Sequence, residues 1–599
     1  MLVSEITCIL TLLVAVRAAS MAAPVVNLGY GQYRGTVHKI GKTTYTRFLG
    51  IRYAAPPIGQ YLISRNPVKG LEADYNLNCV LLGQRRFSAP ASPIVAAGIH
   101  ASVQPHRCLS EATGKAANNP FRTTSTLVNR AVEATPAESE DCLFLNVFIP
   151  GQLGQKKNLP VVVWIHGGGY VSGSSVGYDG DDLIRESGND VVVVVIQYRL
   201  GIFGFLAGQA VKDGGSLNAG LLDQQFALQW VQRHIASFGG NPEQVTIWGE
   251  SAGAGSVLQH VVANAGQTTP PLFRAAITSS TFLPSQYMYN DTIPEVGYRP
   301  LSKTSLTVSF FTSCRSYTAL RLHRPSKSLG ELSSGCYEYF HDDRCTTATD
   351  TLACLRKVKA ETLHTVGAKI SSNAFYGTFL HVPVVDGTFI TDRPTELLGR
   401  KQRNGEAVLS ITNSFEGTTF VDQATAAKTA PENYVAQLFP GLDSEQTKAA
   451  ASQYAGLGSK AFINSAIMGE SIFICPTYYL MRAFDDAAFK GEFAVPPGHH
   501  GQDRVYYFPT GAKKPAFDNA GFRKALGESY LNFARFLNPG KKWDSSNKGL
   551  PQWPSWNGTN EMLFGETAKH APNVHVVHTS TALLKRCQFW ESVSVATAQ

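Results

Sequence analysis

The chain predicts an α/β fold with a mostly parallel central sheet covered by helices on both faces, on three observations. Solid apolar runs at 159–165, 191–196 and 245–248 carry no polar alternation, which marks strands buried on both faces. Helical patterns lie between them, notably 221–235, where Leu222, Phe226, Leu228, Trp230 and Val231 share one broad face. Strands alternating with helices describe a doubly wound sheet. Weaker strands are expected at 407–411 and 505–508.

Composition supports a large globular protein. At 44% hydrophobic and 16% charged, the chain can bury a core and is excluded from the disordered, collagenous and coiled-coil classes. Its 599 residues would allow about four average domains. No repeat of about 20 to 50 residues and no linker rich in Gly, Ser or Pro divides it, so one domain over 24–599 is expected. The net charge of +8 comes from scattered residues, without the basic runs that would indicate a nucleic-acid partner.

An apolar stretch at 6–16 is followed by the small-residue run 18–23. It is too short to span a bilayer and reads as a secretory signal over 1–23, although its first residues lack the usual positive charge. Secretion makes the ten cysteines candidates for disulfides. It also makes the sequons at Asn290 and Asn557 candidates for glycans on exposed loops.

The chemistry centres on Gly-x-Ser-x-Gly, which occurs at 249–253 around Ser251 and at 173–177 around Ser175. Chance alone gives about 0.3 such matches in a chain of this composition, so context decides. A nucleophile elbow needs a strand in and a helix out. Ser251 follows the strand 245–248 and precedes a helical stretch at 254–263, whereas Ser175 sits in a Gly/Ser loop. Gly249 and Gly253 keep the turn free of side chains, and the amide of Ala252 at the helix start is a candidate oxyanion donor. Further donors are expected from the triplet after strand 159–165, at Gly168 and Gly169.

A serine hydroxyl needs a histidine base, and the base needs a carboxylate to fix its tautomer. Glu416 lies just past the strand 407–411, and His499 and His500 precede the stretch 505–508. That is the chain order nucleophile, acid, histidine.

Taken together these residues resemble the type B carboxylesterase/lipase family, which includes secreted fungal esterases and lipases and the cholinesterases. The signatures are FLGIRYAAPPIG at 48–59, ESEDCLFLNV at 138–147, and the elbow with Glu250 before its serine. The likeness runs from about Tyr45 to Trp590. It implies an α/β-hydrolase fold, with Ser251 as nucleophile, Glu416 in an Asn-x-x-Glu-Gly setting as acid, and His500 rather than His499 in a His-Gly-x-Asp setting as base. It likewise implies Gly168, Gly169 and Ala252 for the oxyanion hole. The pairings it implies are Cys108 with Cys142, Cys345 with Cys354, and Cys475 with Cys587. The first of these loops is where lipases of this type carry a lid, and here Leu127, Val128, Ala131 and Val132 fit a short amphipathic flap and an ordinary ordered loop equally well.

Two stretches depart from the family. Residues 60–84 separate Pro57-Ile-Gly59 from an Arg-Phe-x-x-Pro motif at 86–90, and 297–336 interrupt the approach to Cys345. Both lack periodicity, and they carry Cys79, Cys314 and Cys336, which have no family partner. The second contributes six basic residues against one acidic, +5 of the net +8. Translated introns are the expectation, with surface insertion loops as the rival.

The expected protein is therefore a secreted serine carboxylic-ester hydrolase that acts through an acyl-enzyme on a small-molecule or lipid ester, with no metal or organic cofactor. The alternatives are an interfacial triacylglycerol or sterol-ester lipase making transient contact with lipid, and a non-catalytic adhesion protein on the same fold. Acyl and alcohol specificity and oligomeric state are not readable from the sequence.

Overall fold

The computed structural model describes residues 23–41, 43–58, 85–119, 138–295, 345, 348–541 and 551–599. The flap residues Leu127 to Val132, the stretches 60–84 and 297–336 with Cys79, Cys314 and Cys336, and nearly all of the expected signal lie outside them.

The strands in chain order are β1 (Val25–Asn27), β2 (Gln32–Arg34), β3 (Thr36–Ile40), β4 (Thr43–Arg52), β5 (Ile99–His100), β6 (Phe144–Pro150) and β7 (Leu159–Ile165). There follow β8 (Val192–Ile196), β9 (Gly240–Glu250), β10 (Ala275–Ser279), β11 (Ala407–Asn413), β12 (Ala488–Phe493), β13 (Asn560–Glu566) and β14 (Pro572–His578). Among the described residues, eleven strands form one sheet in the order β14-β13-β12-β11-β10-β9-β7-β8-β6-β4-β3, and β1, β2 and β5 form a small second one. The large sheet is parallel from β13 through β8 and antiparallel at both edges.

The solid apolar runs have a direct structural reading. Val161, Val163 and Ile165 enter the core on one face of the sheet, while Val162 and Trp164 enter the core on the other. Val192, Val194 and Ile196 alternate with Val193 and Val195 in the same way. Each buried Val or Ile contributes about 1.5 to 3 kcal/mol, so a polar residue without a hydrogen-bond partner would be costly on either face of these two strands. Helices Ala219–His234 and Ala252–Val262 cover one face, and Gly180–Glu186 and Ala520–Phe536 the other.

Two expectations need correction. The stretch 505–508 is not a strand but the one-turn helix Arg504–Tyr507. Its aromatics are drawn to opposite partners: the Tyr507 ring lies 4.8 Å from that of Trp248, and Tyr506 packs on Phe493 at 5.3 Å. In the helix Ala219–His234, Leu222 and Phe226 are only half-buried, and the buried stripe includes Leu221, Asp223 and Gln224. Polar anchors turn the helix: Asp223 accepts a two-pronged bond from Arg199 at 2.7 Å on each oxygen, and Gln224 donates to Ser256 Oγ.

The family signatures pair with one another. Arg86 forks onto Glu140 at 2.6 Å, Arg52 onto Asp141 at 2.7 and 2.8 Å, and Asn146 accepts the Gly50 amide. Three disulfides join Cys108 to Cys142, Cys345 to Cys354 and Cys475 to Cys587. The last closes a loop of 112 residues and ties helix Thr581–Ser592 to helix Cys475–Phe484. Chain entropy makes such a crosslink worth about 4 to 5 kcal/mol. Replacing both Cys475 and Cys587 with alanine should lower unfolding stability by that order, read as an earlier denaturant midpoint with a slope that is equal or steeper, because the uncrosslinked unfolded chain exposes more surface.

Candidate active site

Ser251 sits at the end of β9 with φ 58° and ψ −127°, a conformation that L-residues rarely adopt and that costs about 1 to 3 kcal/mol. The surroundings over-determine it. Its amide donates to the Ser279 carbonyl of the neighbouring strand β10 at 2.9 Å, and its own carbonyl accepts from Gly255 at 2.9 Å. A Cβ on Gly249 would come within 2.2 Å of the Gly253 carbonyl carbon, and one on Gly253 within 2.0 Å of the Ile165 carbonyl oxygen. The two glycines of the motif are therefore steric requirements. Ala252, buried, opens helix Ala252–Val262, so its N–H has no intrahelical acceptor.

The His166-Gly-Gly-Gly segment leaves β7 beside this turn. A Cβ on Gly167 would stand 2.9 Å from Cβ of Ser251. Gly168 and Gly169 have φ of +107° and +66°, and a Cβ on Gly169 would overlap the Phe379 ring at 1.9 Å. His166 stacks on Tyr198 at 4.5 Å, and burial pushes its imidazole down to about 4, which keeps it neutral. Its Nδ1–H donates to the Gly167 carbonyl at 2.9 Å, holding the loop.

Glu416 and His500 come from the loops after β11 and β12, adjacent parallel strands. Beyond the strand ends, Phe415 and His499 form one more parallel bridge, with the Phe415 amide donating to the Gly498 carbonyl at 2.8 Å. The loops are thus laced together, and His500 Nδ1 donates to Glu416 Oε2 at 2.6 Å. The other carboxylate oxygen accepts the Asn413 amide at 2.7 Å, and Glu416 is fully buried. His499 instead donates its amide to the Gln502 side chain.

Two further carboxyl groups crowd the ring. Glu250, the residue before Ser251, places Oε1 3.5 Å from His500 Nε2, so the elbow and the histidine meet there. Asp503 accepts from Asn413 Nδ2 and from the Tyr507 hydroxyl, each at 3.1 Å. Burial, with the charge of Glu250 added, pushes Asp503 up to about 6. For His500, burial alone would lower the pKa. The charge and hydrogen bond of Glu416, followed by Glu250 and Asp503, outweigh it and hold the ring above its ordinary value. Phe420 and Phe473 wall the ring at 4.8 and 4.6 Å between centroids.

Ser175 is elsewhere occupied. Its hydroxyl donates to Gln197 Oε1 at 3.2 Å and accepts from Gln104 at 2.8 Å. Asn290 and Asn557 are both exposed. Sequence reasoning named Glu250 and Asp503 only as motif letters, and missed Asn413, Phe420 and Phe473. The Asn-x-x-Glu-Gly spacing was the available signal for Asn413, whose amide meets the acid three residues on. The aromatic walls have no local signal.

Beyond the geometry of the site, the chain as a whole matches known proteins over nearly its entire length. A model of the carboxylesterase family matches residues 81–590. Carboxylesterase patB of Aspergillus clavatus is 27% identical over 98% of this chain and 99% of its own length. Liver carboxylesterase 1 of Mus musculus is 30% identical over 70% of this chain and 72% of its own. The crystal structure of Aspergillus niger EstA matches with a TM-score of 0.74 at 25% identity, covering 96% of this chain and 99% of that one. Sequence, fold and relatives converge, and the chain belongs to the carboxylesterase family as a carboxylic ester hydrolase with the α/β-hydrolase fold.

Proposed function

We propose that Ser251, His500 and Glu416 are the nucleophile, base and acid of an acyl-enzyme mechanism. The observation that carries this reading is the 2.6 Å bond from His500 to the buried Glu416, beside a serine held at positive φ. The Ser251 hydroxyl attacks the ester carbonyl while its proton passes to His500 Nε2. The oxyanion rests on the amides of Gly168, Gly169 and Ala252, each donor worth about 3 to 4 kcal/mol in the transition state. His500 then protonates the leaving alcohol, and water repeats the sequence to release the acid. A largely apolar cleft lined by Phe205, Phe282, Phe375, Phe379, Leu438 and Ile472 suits one arm of the ester.

Treating the native secreted protein with a fluorophosphonate and mapping its peptides tests the assignment. An adduct on Ser251 is expected, and none on a folded protein would sink it. Gly169→Ala should lower kcat about 100-fold, because the added methyl displaces either Phe379 or the donor loop. Steady-state kinetics would show this, and wild-type kcat would remove Gly169 from the set.

We read 24–599 as a single secreted domain, in keeping with the three disulfides, and 60–84 and 297–336 as translated introns. The Ile58 carbonyl accepts the Arg85 amide at 3.1 Å, so the chain ends flanking the first stretch lie side by side. A form in which Gly59 is joined directly to Arg85 should fold and hydrolyse esters like the full chain. Peptides from either stretch in the secreted protein would reject the intron reading.

A further inference from the structure

The cleft beside Gly169 is walled mainly by rings and aliphatic chains, and His381 is set into that wall. Its two ring nitrogens have different fates. Nδ1 donates to Glu111 Oε2 at 2.7 Å, whereas the buried Nε2 has no hydrogen-bond partner among the described residues. The acceptor is elaborately prepared. Glu111 Oε1 takes the Ile202 amide at 2.9 Å, and Oε2 also takes the Ser371 hydroxyl at 2.7 Å. Two glycines clear its space, since a Cβ on Gly201 would come within 2.4 Å of the Glu111 carboxyl carbon and one on Gly367 within 2.2 Å of Oε1. Burial alone would push the Glu111 carboxyl up. His381, Ile202 and Ser371 outweigh it and hold it below the usual carboxylate range. An anion there fixes the proton on Nδ1 and leaves Nε2 as the ring's unpaired polar atom.

An orphaned buried nitrogen is costly and calls for a partner. The wall connects it to the reacting centre: Phe379 abuts Gly169, and Phe282 lies 5.3 Å from Phe473, which lies 4.6 Å from His500. We propose that His381 Nε2 receives a hydroxyl group on the ester arm that occupies this cleft, which makes His381 a specificity-determining residue and hydroxylated carboxylic esters the substrate class. A hydroxyl donates to a neutral imidazole and accepts from a protonated one, so it satisfies Nε2 in either state; a methyl satisfies it in neither. The proposal rests on the assignment of Ser251 and His500 made above.

The test uses matched esters of graded chain length. One series is 4-nitrophenyl alkanoates with and without a terminal hydroxyl, and the other is alkyl butyrates with and without a terminal hydroxyl on the alcohol. Wild type should favour the hydroxylated member about 10-fold in kcat/KM in one series, at the length that reaches His381. In His381→Phe that ratio should fall to near one, and His381→Gln, which keeps a hydrogen-bonding tip, should retain part of it. Equal kcat/KM within every wild-type pair overturns the proposal with no variant needed, as does a preference that survives in His381→Phe. If wild type turns over none of the esters and takes no fluorophosphonate, the Ser251 assignment has failed and this proposal falls with it.

Discussion

Ser251→Ala should lose on the order of 10⁶-fold in kcat on an activated ester, about 8 kcal/mol of transition-state stabilisation, and should no longer bind a fluorophosphonate covalently. The size follows from the architecture. On the proposed assignment His500 has no proton to collect without the hydroxyl, and the amides of Gly168, Gly169 and Ala252 could still polarise a bound ester but form no acyl-enzyme. The matched control is Ser175→Ala, in the second Gly-x-Ser-x-Gly. Because that hydroxyl is engaged by Gln104 and Gln197, activity should persist. Retention of more than about 1% of wild-type kcat by Ser251→Ala, set against the loss expected for a nucleophile, would show that another group performs the attack.

Glu416→Gln should cost about 10⁴-fold in kcat and change the pH profile in a stated direction. In wild type both carboxylate oxygens accept, one from the Asn413 amide and one from His500 Nδ1. An amide in that place has only one acceptor for two donors, so either the acid's anchor or the ring's tautomer is lost. The charge goes as well. His500 works as a base only when neutral, and its pKa stands above the ordinary 6.5 because Glu416 outweighs burial. The wild-type rate should therefore fall with decreasing pH through a midpoint above about 6.5. In Glu416→Gln that midpoint should move lower. Folding stability runs the opposite way with pH: a raised histidine pKa stabilises fully below the unfolded value, and this contribution fades as pH rises through the folded one. A pH–rate profile whose acid limb stays put in the variant would remove Glu416 from the triad.

Much of this was legible along the chain because the informative patterns are short. A strand buried on both faces writes a solid apolar run, and the runs at 159–165, 191–196 and 245–248 are β7, β8 and the core of β9. The elbow is likewise local, since strand, Gly-x-Ser-x-Gly and helix all fall within about twenty residues. Failures occurred where tertiary partners overrule local preference. Val505, Tyr506, Tyr507 and Phe508 have the side chains of a strand, but their rings are claimed by Trp248 on one side and Phe493 on the other, which a single helical turn satisfies. The pairing of Glu111 with His381 spans 270 residues, and no periodicity announces a contact at that separation.

The spread of the site along the chain has a further consequence. On this assignment the nucleophile leaves β9, the acid leaves β11 and the base leaves β12, at 251, 416 and 500. A polypeptide emerging from the ribosome has its serine early, but it lacks both proton-handling partners until three further strands, β10, β11 and β12, have been made. The sharp turn that strains Ser251 is itself braced by β10, which follows it. On this assignment a nascent chain cannot assemble the three residues until β12 and the loop that follows it have been made.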